Sequence, residues 1–312
     1  MVNKEVKNPH RKKTSLIESK QKNRLNTKEL PDMAQIKKHL QKRLKTVQKI
    51  EEHDVKVEKK IKHPAKHEFI QTNVPGFDTL LEIGIPKGAS VLIAGGAGSG
   101  KTIFCLQLLT YAASQGEKCL YLSFEEPEQR LKQHMEDFGW DWQKLEQKGS
   151  LRIIRKDPFL LTGSIEAMLA KAKGELLIDI NEVLEIIPKG FKPTKIVLDS
   201  LSAVAAAFSA QEDNYRIFIE QLFRYFESIE ATTFLISETE QVPTKYSKTG
   251  EEEFLADGVI VLYNIKKGDL RISAIEILKM RGTKIKKKIV PFQIQPGKGI
   301  EVYPQETVFA EI

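Results

Sequence analysis

Ser90-Val91-Leu92-Ile93-Ala94-Gly95-Gly96-Ala97-Gly98-Ser99-Gly100-Lys101-Thr102-Ile103-Phe104 decides the fold. An apolar run fit for a buried strand leads into Gly95-x-x-x-x-Gly100-Lys101-Thr102. The next residues, Ile103 to Tyr111, suit a buried helix. Strand, glycine-rich loop and helix in that order are the context of a P-loop. Glycines at 95, 96, 98 and 100 let the backbone turn tightly, so that successive N–H groups face phosphate oxygens. The helix that begins near Lys101 adds the positive end of its dipole. In this reading residues Gly95 to Ile103 cradle a nucleoside triphosphate. Lys101 reaches its β- and γ-phosphates, and the Thr102 hydroxyl ligates Mg²⁺. A chance glycine-rich turn is the bland alternative, and the flanking strand and helix decide against it.

Outward from this stretch, strand and helix patterns alternate. Strands are predicted at Ser90–Ala94, Lys118–Phe124, Leu151–Ile154, Lys195–Leu198 and Thr232–Ser237. Helical spacing separates most of them; Tyr215, Phe218, Leu222, Phe226 and Ile229 recur at steps of three and four. Past residue 257, Gly258–Tyr263, Leu270–Lys279 and Ile289–Ile294 read as an antiparallel extension. Alternating β and α predicts an α/β fold, with a mostly parallel central sheet and helices on both faces. No internal repeat is present, so the chain holds one nucleotide-binding unit.

Phosphoryl transfer to water needs a metal holder, a group that positions the water, and positive charge on the leaving phosphates. Lys195-Ile196-Val197-Leu198-Asp199 is an apolar strand ending in a carboxylate, the Walker B form, and Asp199 would hold the Mg²⁺ water shell. Glu125 and Glu126 close the strand that follows the P-loop helix. Adjacent acids there can raise one pKa toward a base-like value. They equally suit the first turn of a helix opened by Pro127. Lys279 and Arg281 end a strand two residues apart, on one face. They read as a solvated edge, or as a finger aimed at a neighbouring subunit's γ-phosphate.

The charge is uneven. Residues 1–68 hold 20 Lys and Arg against 9 Asp and Glu, whereas the remaining residues hold 29 against 33, so the basic character belongs to the tail. The first ~30 residues are polar and lack sustained periodicity, which predicts disorder. Met33, Ile36, Leu40, Val47, Ile50, Val57 and Ile61 then mark a basic amphipathic helix, capped by Asp32 and ended by Pro64. It either docks on its own body or self-associates, binds nucleic acid, or meets an acidic partner or membrane surface. The tail carries no aromatic residue, which weakens a base-stacking role. No apolar run approaches the length of a membrane span and no secretory leader opens the chain, so a cytoplasmic location is expected. Cys105 and Cys119 have no metal or redox spacing.

Further motifs lie in a fixed order around these residues. Gly76-Phe77-Asp78 and Gly84-Ile85-Pro86-x-Gly88 precede the P-loop. Phe124-Glu125-Glu126, Phe138-Gly139-Trp140-Asp141 and Leu198-Asp199-Ser200 follow it. Ala231-Thr232-Thr233, Phe254-Leu255-Ala256-Asp257-Gly258, Lys279-Met280-Arg281-Gly282-Thr283 and Pro291-Phe292 complete the series. Taken together the chain resembles a single-domain member of the KaiC family, within the RecA/RadA branch of P-loop ATPases, from about Phe69 to Tyr303. A basic tail of residues 1–68 and an ATPase domain of residues 69–312 are the expected organisation.

The resemblance implies that Glu125 and Glu126 act on the lytic water, and that Lys279 and Arg281 reach the adjacent subunit's nucleotide. Active sites would then lie between protomers of a ring, typically a hexamer, with ATP and Mg²⁺ as cofactors. At the position where one half of the family carries an autophosphorylated Ser-Thr pair, this chain has Glu253-Phe254, so hydrolysis without autophosphorylation there is expected. The family's His two residues after Arg-Gly-Thr is replaced in the Lys284-Ile285 stretch. The leading expectation is a nucleotide-dependent switch acting on a partner protein. A DNA-stimulated recombinase or helicase relative using the basic tail is the alternative, though Gly250-Glu251-Glu252-Glu253 argues against DNA in a ring channel. A third reading is an ATP-gated scaffold with little turnover.

Overall fold

The computed structural model describes residues 68–160, 187–208, 212–241 and 243–308. Residues 1–67 of the expected tail, its amphipathic helix included, lie outside the described residues. Nine strands form one sheet: β3 (Ser90–Gly95), β4 (Cys119–Ser123), β5 (Leu151–Arg155), β6 (Lys195–Asp199), β7 (Thr232–Glu238), β8 (Gly258–Lys267), β9 (Leu270–Met280), β10 (Val290–Gln295) and β11 (Gly299–Val302). A separate antiparallel pair, β1 (Phe69–Ile70) with β2 (Ile85–Pro86), precedes them. Across the sheet the order is β11-β10-β9-β8-β3-β7-β6-β4-β5. From β8 to β5 all neighbours are parallel, and β9, β10 and β11 continue antiparallel from β8. This is the mostly parallel, RecA-like arrangement with an antiparallel extension that the alternating pattern predicts. Two features differ. Gly299–Val302 is a strand that the pattern missed, because its four residues are too few to show a period. The β8 strand runs on to Lys267, four residues past the predicted Tyr263.

The central strands are near-continuous apolar runs because both faces of the sheet are covered. Every residue of β3, β4 and β6 is buried. Alternation divides them. Val91 and Ile93 join Phe104, Leu108, Leu131 and Leu145 on one face, packed under α1 (Lys101–Ser114), α2 (Glu128–Asp137) and α3 (Trp142–Gln147). Leu92 and Ala94 face the opposite layer, with Leu201 and Val204 of α4 (Leu201–Ala207) and Phe218, Leu222 and Phe226 of α5 (Glu212–Ser228). Each of these large side chains, taken fully out of water, contributes ~1.5–3 kcal/mol before chain entropy is subtracted. A short helix, α6 (Glu252–Leu255), leads into β8.

The Gly76-Phe77-Asp78 motif fastens the start of the body to its end. Gly76 has φ of +77°, and a Cβ there would stand 1.9 Å from the carbonyl oxygen of Val302. Only glycine tolerates both constraints. Phe77 packs edge-on against Phe104 of α1, with ring centroids 5.1 Å apart. The Asp78 carboxylate accepts hydrogen bonds from Thr72 N at 2.9 Å, Thr72 Oγ1 at 2.7 Å and Asn73 N at 2.7 Å. Together these residues set β11 beside the helix that follows the P-loop. Gln107 of α1 completes the join, donating to the Ile300 carbonyl at 3.1 Å and accepting from Ile300 N at 2.6 Å.

Candidate functional site

Parallel strands that share a direction bring their carboxyl ends to one edge, where open α/β sheets bind ligands. Here β3 lies between β7 and β8, with β6 and β4 beyond β7. Gly95 stands opposite Glu238, and Ser123 opposite Asp199. The P-loop, Asp199, and Glu125 just past β4 therefore meet at the same edge.

Gly98 and Gly100 adopt φ of +70° and +92°, which turn the loop back toward α1. Gly100 is the N-cap of α1, and no side chain caps the helix, so its first N–H groups are left for an anion. Lys101 is buried, and Nζ donates to the carbonyls of Gly95 at 2.9 Å and Gly96 at 3.0 Å. Burial lowers its pKa, while Glu238, Asp199 and Glu125 pull it back up. The Ser99 hydroxyl is buried without a hydrogen-bond partner among the described residues. Ala97 offers its carbonyl to Gln241 Nε2 at 3.0 Å, and Ile103 packs on the core beneath α1. A Cβ on Gly96 would meet the Gln241 amide at 2.8 Å, so glycine there is a matter of close approach.

Thr102 Oγ1 donates to Asp199 Oδ2 at 3.1 Å. The buried Tyr121 hydroxyl donates to the same oxygen at 2.5 Å. Burial raises the Asp199 pKa to about 6; Tyr121 and Thr102 oppose the rise by hydrogen bonding, and the Glu125 charge adds to it. Burial also pushes the Tyr121 phenol well above its ordinary range, so it stays a donor at neutral pH.

The two adjacent acids part company. Glu125 accepts from Ser200 Oγ, the residue after Asp199, which also caps α4 through Ala203 N at 3.1 Å. Glu126 turns to α2, where His134 Nε2 lies 3.2 Å and Arg130 Nε 3.6 Å from its Oε2. Glu125 thus lies within the field of Lys101 and Asp199, and Glu126 is held beside it by a helix.

Lys279 and Arg281 are not brought to this chain's own P-loop. Lys279 pairs with Val259 at the start of β8, whereas Gly95 pairs with Leu262. Three residues of strand separate them, ~10 Å at ~3.3 Å per residue. Lys279 Nζ donates to the carbonyls of Glu253 at 3.3 Å and Ala256 at 2.9 Å. Arg281 donates to the Phe254 carbonyl at 2.9 Å and pairs with Asp257 at 3.3 Å. Both cations clasp the carbonyl end of α6, where positive charge complements the helix dipole.

These residues fit a triphosphate and its metal. A glycine cradle, an uncapped helix start and an orphan hydroxyl suit phosphate oxygens. One hydroxyl beside one carboxylate suits Mg²⁺, which takes one or two protein oxygens and completes its shell with water and phosphate. Among the described residues no group of three or more His, Cys, Asp or Glu could hold a metal by itself. The linear motif found Lys101, Thr102 and Asp199. It held Ser200 within Leu198-Asp199-Ser200 without a role, and it missed Tyr121, Gln241, Arg130 and His134, whose only signal is a place on a strand face or beside a motif.

The family model described as "ATPase: KaiC" matches residues 70–307. The chain is 34% identical over 252 residues to the circadian clock protein KaiC3 of Synechocystis sp., covering 78% of this chain and 47% of that one. It therefore spans about half the length of the circadian clock relatives it matches. A UPF0273 protein of Thermotoga maritima is 33% identical over 243 residues, covering 76% of this chain and 96% of the relative. The crystal structure of the KaiC-like protein PH0186 from Pyrococcus horikoshii OT3 superposes with a TM-score of 0.61 at 32% identity, covering 76% of this chain and all of that one. No helix among the described residues is long and apolar enough to cross a membrane. With its P-loop, Walker B aspartate and sheet order all in place, this chain belongs to the KaiC family of ATPases.

Proposed function

We propose that the chain binds ATP with Mg²⁺ at the P-loop, hydrolyses it in a ring of like subunits, and uses the bound state to control a partner protein in the cytoplasm. Convergence of Lys101, Thr102, Asp199 and Glu125 on one edge of the sheet carries this reading. Mg²⁺, when bound, would supply positive charge against the phosphates. Thr102 and Asp199 would hold it. Lys101 leaves its two carbonyl partners for the phosphates, and the loop N–H groups keep the triphosphate in line. Glu125 orients the attacking water and takes its proton, with Ser200 fixing the carboxylate. Glu126 shapes the same corner through His134 and Arg130.

Positive charge on the γ-phosphate comes from a neighbour's Lys279 and Arg281. Their place at the opposite edge of the sheet supports a role in trans, because this chain's own loop is out of their reach. Such charge acts where it develops in the transition state. At the Glu253-Phe254 position no hydroxyl is present, and the Glu253 carboxylate accepts from Tyr246 N. Hydrolysis without autophosphorylation at that position follows. The ATPase body is taken to run from Phe69, with residues 1–68 as an appendage.

Mixing experiments test the arrangement. Lys101→Ala alone and Lys279→Ala/Arg281→Ala alone should each lose turnover. Mixed subunits should recover part of it, because an intact P-loop then meets intact cations. No recovery between two folded variants overturns the trans assignment. Absence of Mg²⁺-dependent ATP turnover in the wild type overturns hydrolysis itself. Stimulation by DNA that disappears with residues 1–68 would instead move the chain to the nucleic-acid class.

A further inference from the structure

Asp199 receives two hydrogens on one oxygen, and the second has no place in the motif. Tyr121 lies on β4, in register with Val197 on the neighbouring β6, so Asp199 is its diagonal neighbour on the same face. That diagonal is ~7–8 Å between backbones, which a phenol can span. Its hydroxyl reaches Asp199 Oδ2 at 2.5 Å from a fully buried position, beside Thr102 Oγ1 at 3.1 Å. Among the described residues no hydrogen bond falls on Asp199 Oδ1. We propose that Tyr121 is a positioning residue for the metal: with Oδ2 pinned by Tyr121 and Thr102, the carboxylate cannot rotate and presents Oδ1 to the Mg²⁺ water shell.

A carboxylate buried beside Glu125 needs such a donor. Desolvation and a like charge both oppose the anion, and a hydrogen bond from a neutral phenol favours it without adding a competing cation. Partners that orient a metal-binding group in this way change metal affinity 10–100-fold when removed. The inference rests on the ATP·Mg²⁺ reading above. It concerns metal affinity alone, so it is separable from turnover.

Tyr121→Phe removes one oxygen and keeps the ring. Mn²⁺ serves as the probe, measured by electron paramagnetic resonance and by the shift in melting temperature of the ATP-bound protein. We expect Mn²⁺ affinity of the ATP complex to fall about tenfold in Tyr121→Phe, with metal-free ATP binding unchanged. Tyr263→Phe is the control, since Tyr263 is also fully buried in the sheet and bonds a carboxylate, that of Glu276, but packs on the opposite face of the sheet from Tyr121. It should lower stability and leave Mn²⁺ affinity alone. Equal Mn²⁺ affinity in wild type and Tyr121→Phe, or an equal loss in Tyr263→Phe, overturns the proposal. If the wild-type protein binds ATP with no added stabilisation by Mn²⁺, the ATP·Mg²⁺ reading fails instead.

Discussion

Replacing Asp199 by Asn should make the nucleotide-free protein more stable and disable the proposed metal site. Burial raises the Asp199 carboxyl from an ordinary value of 3.8 to about 6 in the folded chain. A group with a raised folded pKa holds its proton in the native state at pH values where the unfolded chain has released it. Stability therefore falls as pH rises from about 4 to about 6, and the loss persists above that window. A rise from 3.8 to about 6 corresponds to roughly 3 kcal/mol at neutral pH. The side chain is almost wholly buried, so solvent screening reduces this little. Asn carries no charge and keeps an oxygen for Tyr121 and Thr102, but its amide must find an acceptor such as Glu125. Fitting that amide costs ~1 kcal/mol, leaving a net gain of about 1–2 kcal/mol. For a body of this size that is a rise of roughly 2–8 °C in melting temperature. Urea and thermal unfolding in EDTA, without nucleotide, at pH 7 and pH 4.5 are the assays. The gain should appear at pH 7 and shrink at pH 4.5, where the wild-type carboxyl is already protonated. Asp199→Asn that is less stable than wild type at pH 7, or equally shifted at both pH values, refutes the reasoning.

Glu125→Gln should retain ATP and lose turnover ~10²–10⁴-fold, the range of a general base. Glu126→Gln, whose carboxylate faces His134 and Arg130, should lose less; single-turnover rates compare the two, and a larger loss at Glu126 reverses the assignment. Gly76→Ala sets a Cβ 1.9 Å from a backbone oxygen of β11 at a positive φ, and should cost ~3 kcal/mol or more in urea unfolding. Little change there would mean that β11 is not clamped as described.

The sheet was legible in the sequence because burial on both faces leaves a signature in residue type. Ser90 to Gly95, Lys195 to Asp199 and Thr232 to Glu238 are largely apolar runs whose carboxyl ends reach the edge of the candidate site. A P-loop is readable for a related reason, since backbone turned toward phosphate demands glycine at set intervals. Contacts across the sheet have no such linear trace. Tyr121 looks like any aromatic strand residue until the register sets it diagonal to Asp199. The neighbours of Glu126 come one and two turns along α2, a spacing shared with any solvated helix face. Gly299–Val302 gave no period at all, and it is held by Gln107 and Gly76, which come from far away in the chain.

Register also explains why one chain is an incomplete catalyst in the proposed scheme. Strands β3 to β8 are parallel, so their carboxyl ends gather the glycine-rich loop, Asp199 and Glu125 on one edge. Strand β9 is antiparallel, so Lys279 near its end and Arg281 just past it lie at the other edge. No side chain of ~6–7 Å reach closes a strand length of ~10 Å past a packed core. Yet those cations are not idle in the single chain. They hold the carbonyl end of α6, and α6 carries Glu252, buried and bonded to Tyr215 of α5 at 2.6 Å. A phosphate arriving from a neighbour competes with backbone carbonyls for the same donors, and charge-assisted bonds to phosphate are the stronger. In the proposed ring, then, nucleotide bound by one subunit would loosen the grip on α6 in the next, and α5 would register the change. Hydrogen exchange at Glu252–Leu255 should rise when ATP and Mg²⁺ are added to assembled wild type, and should already be high without nucleotide in Lys279→Ala/Arg281→Ala. Protection that stays the same in both removes this link between the two edges of the sheet.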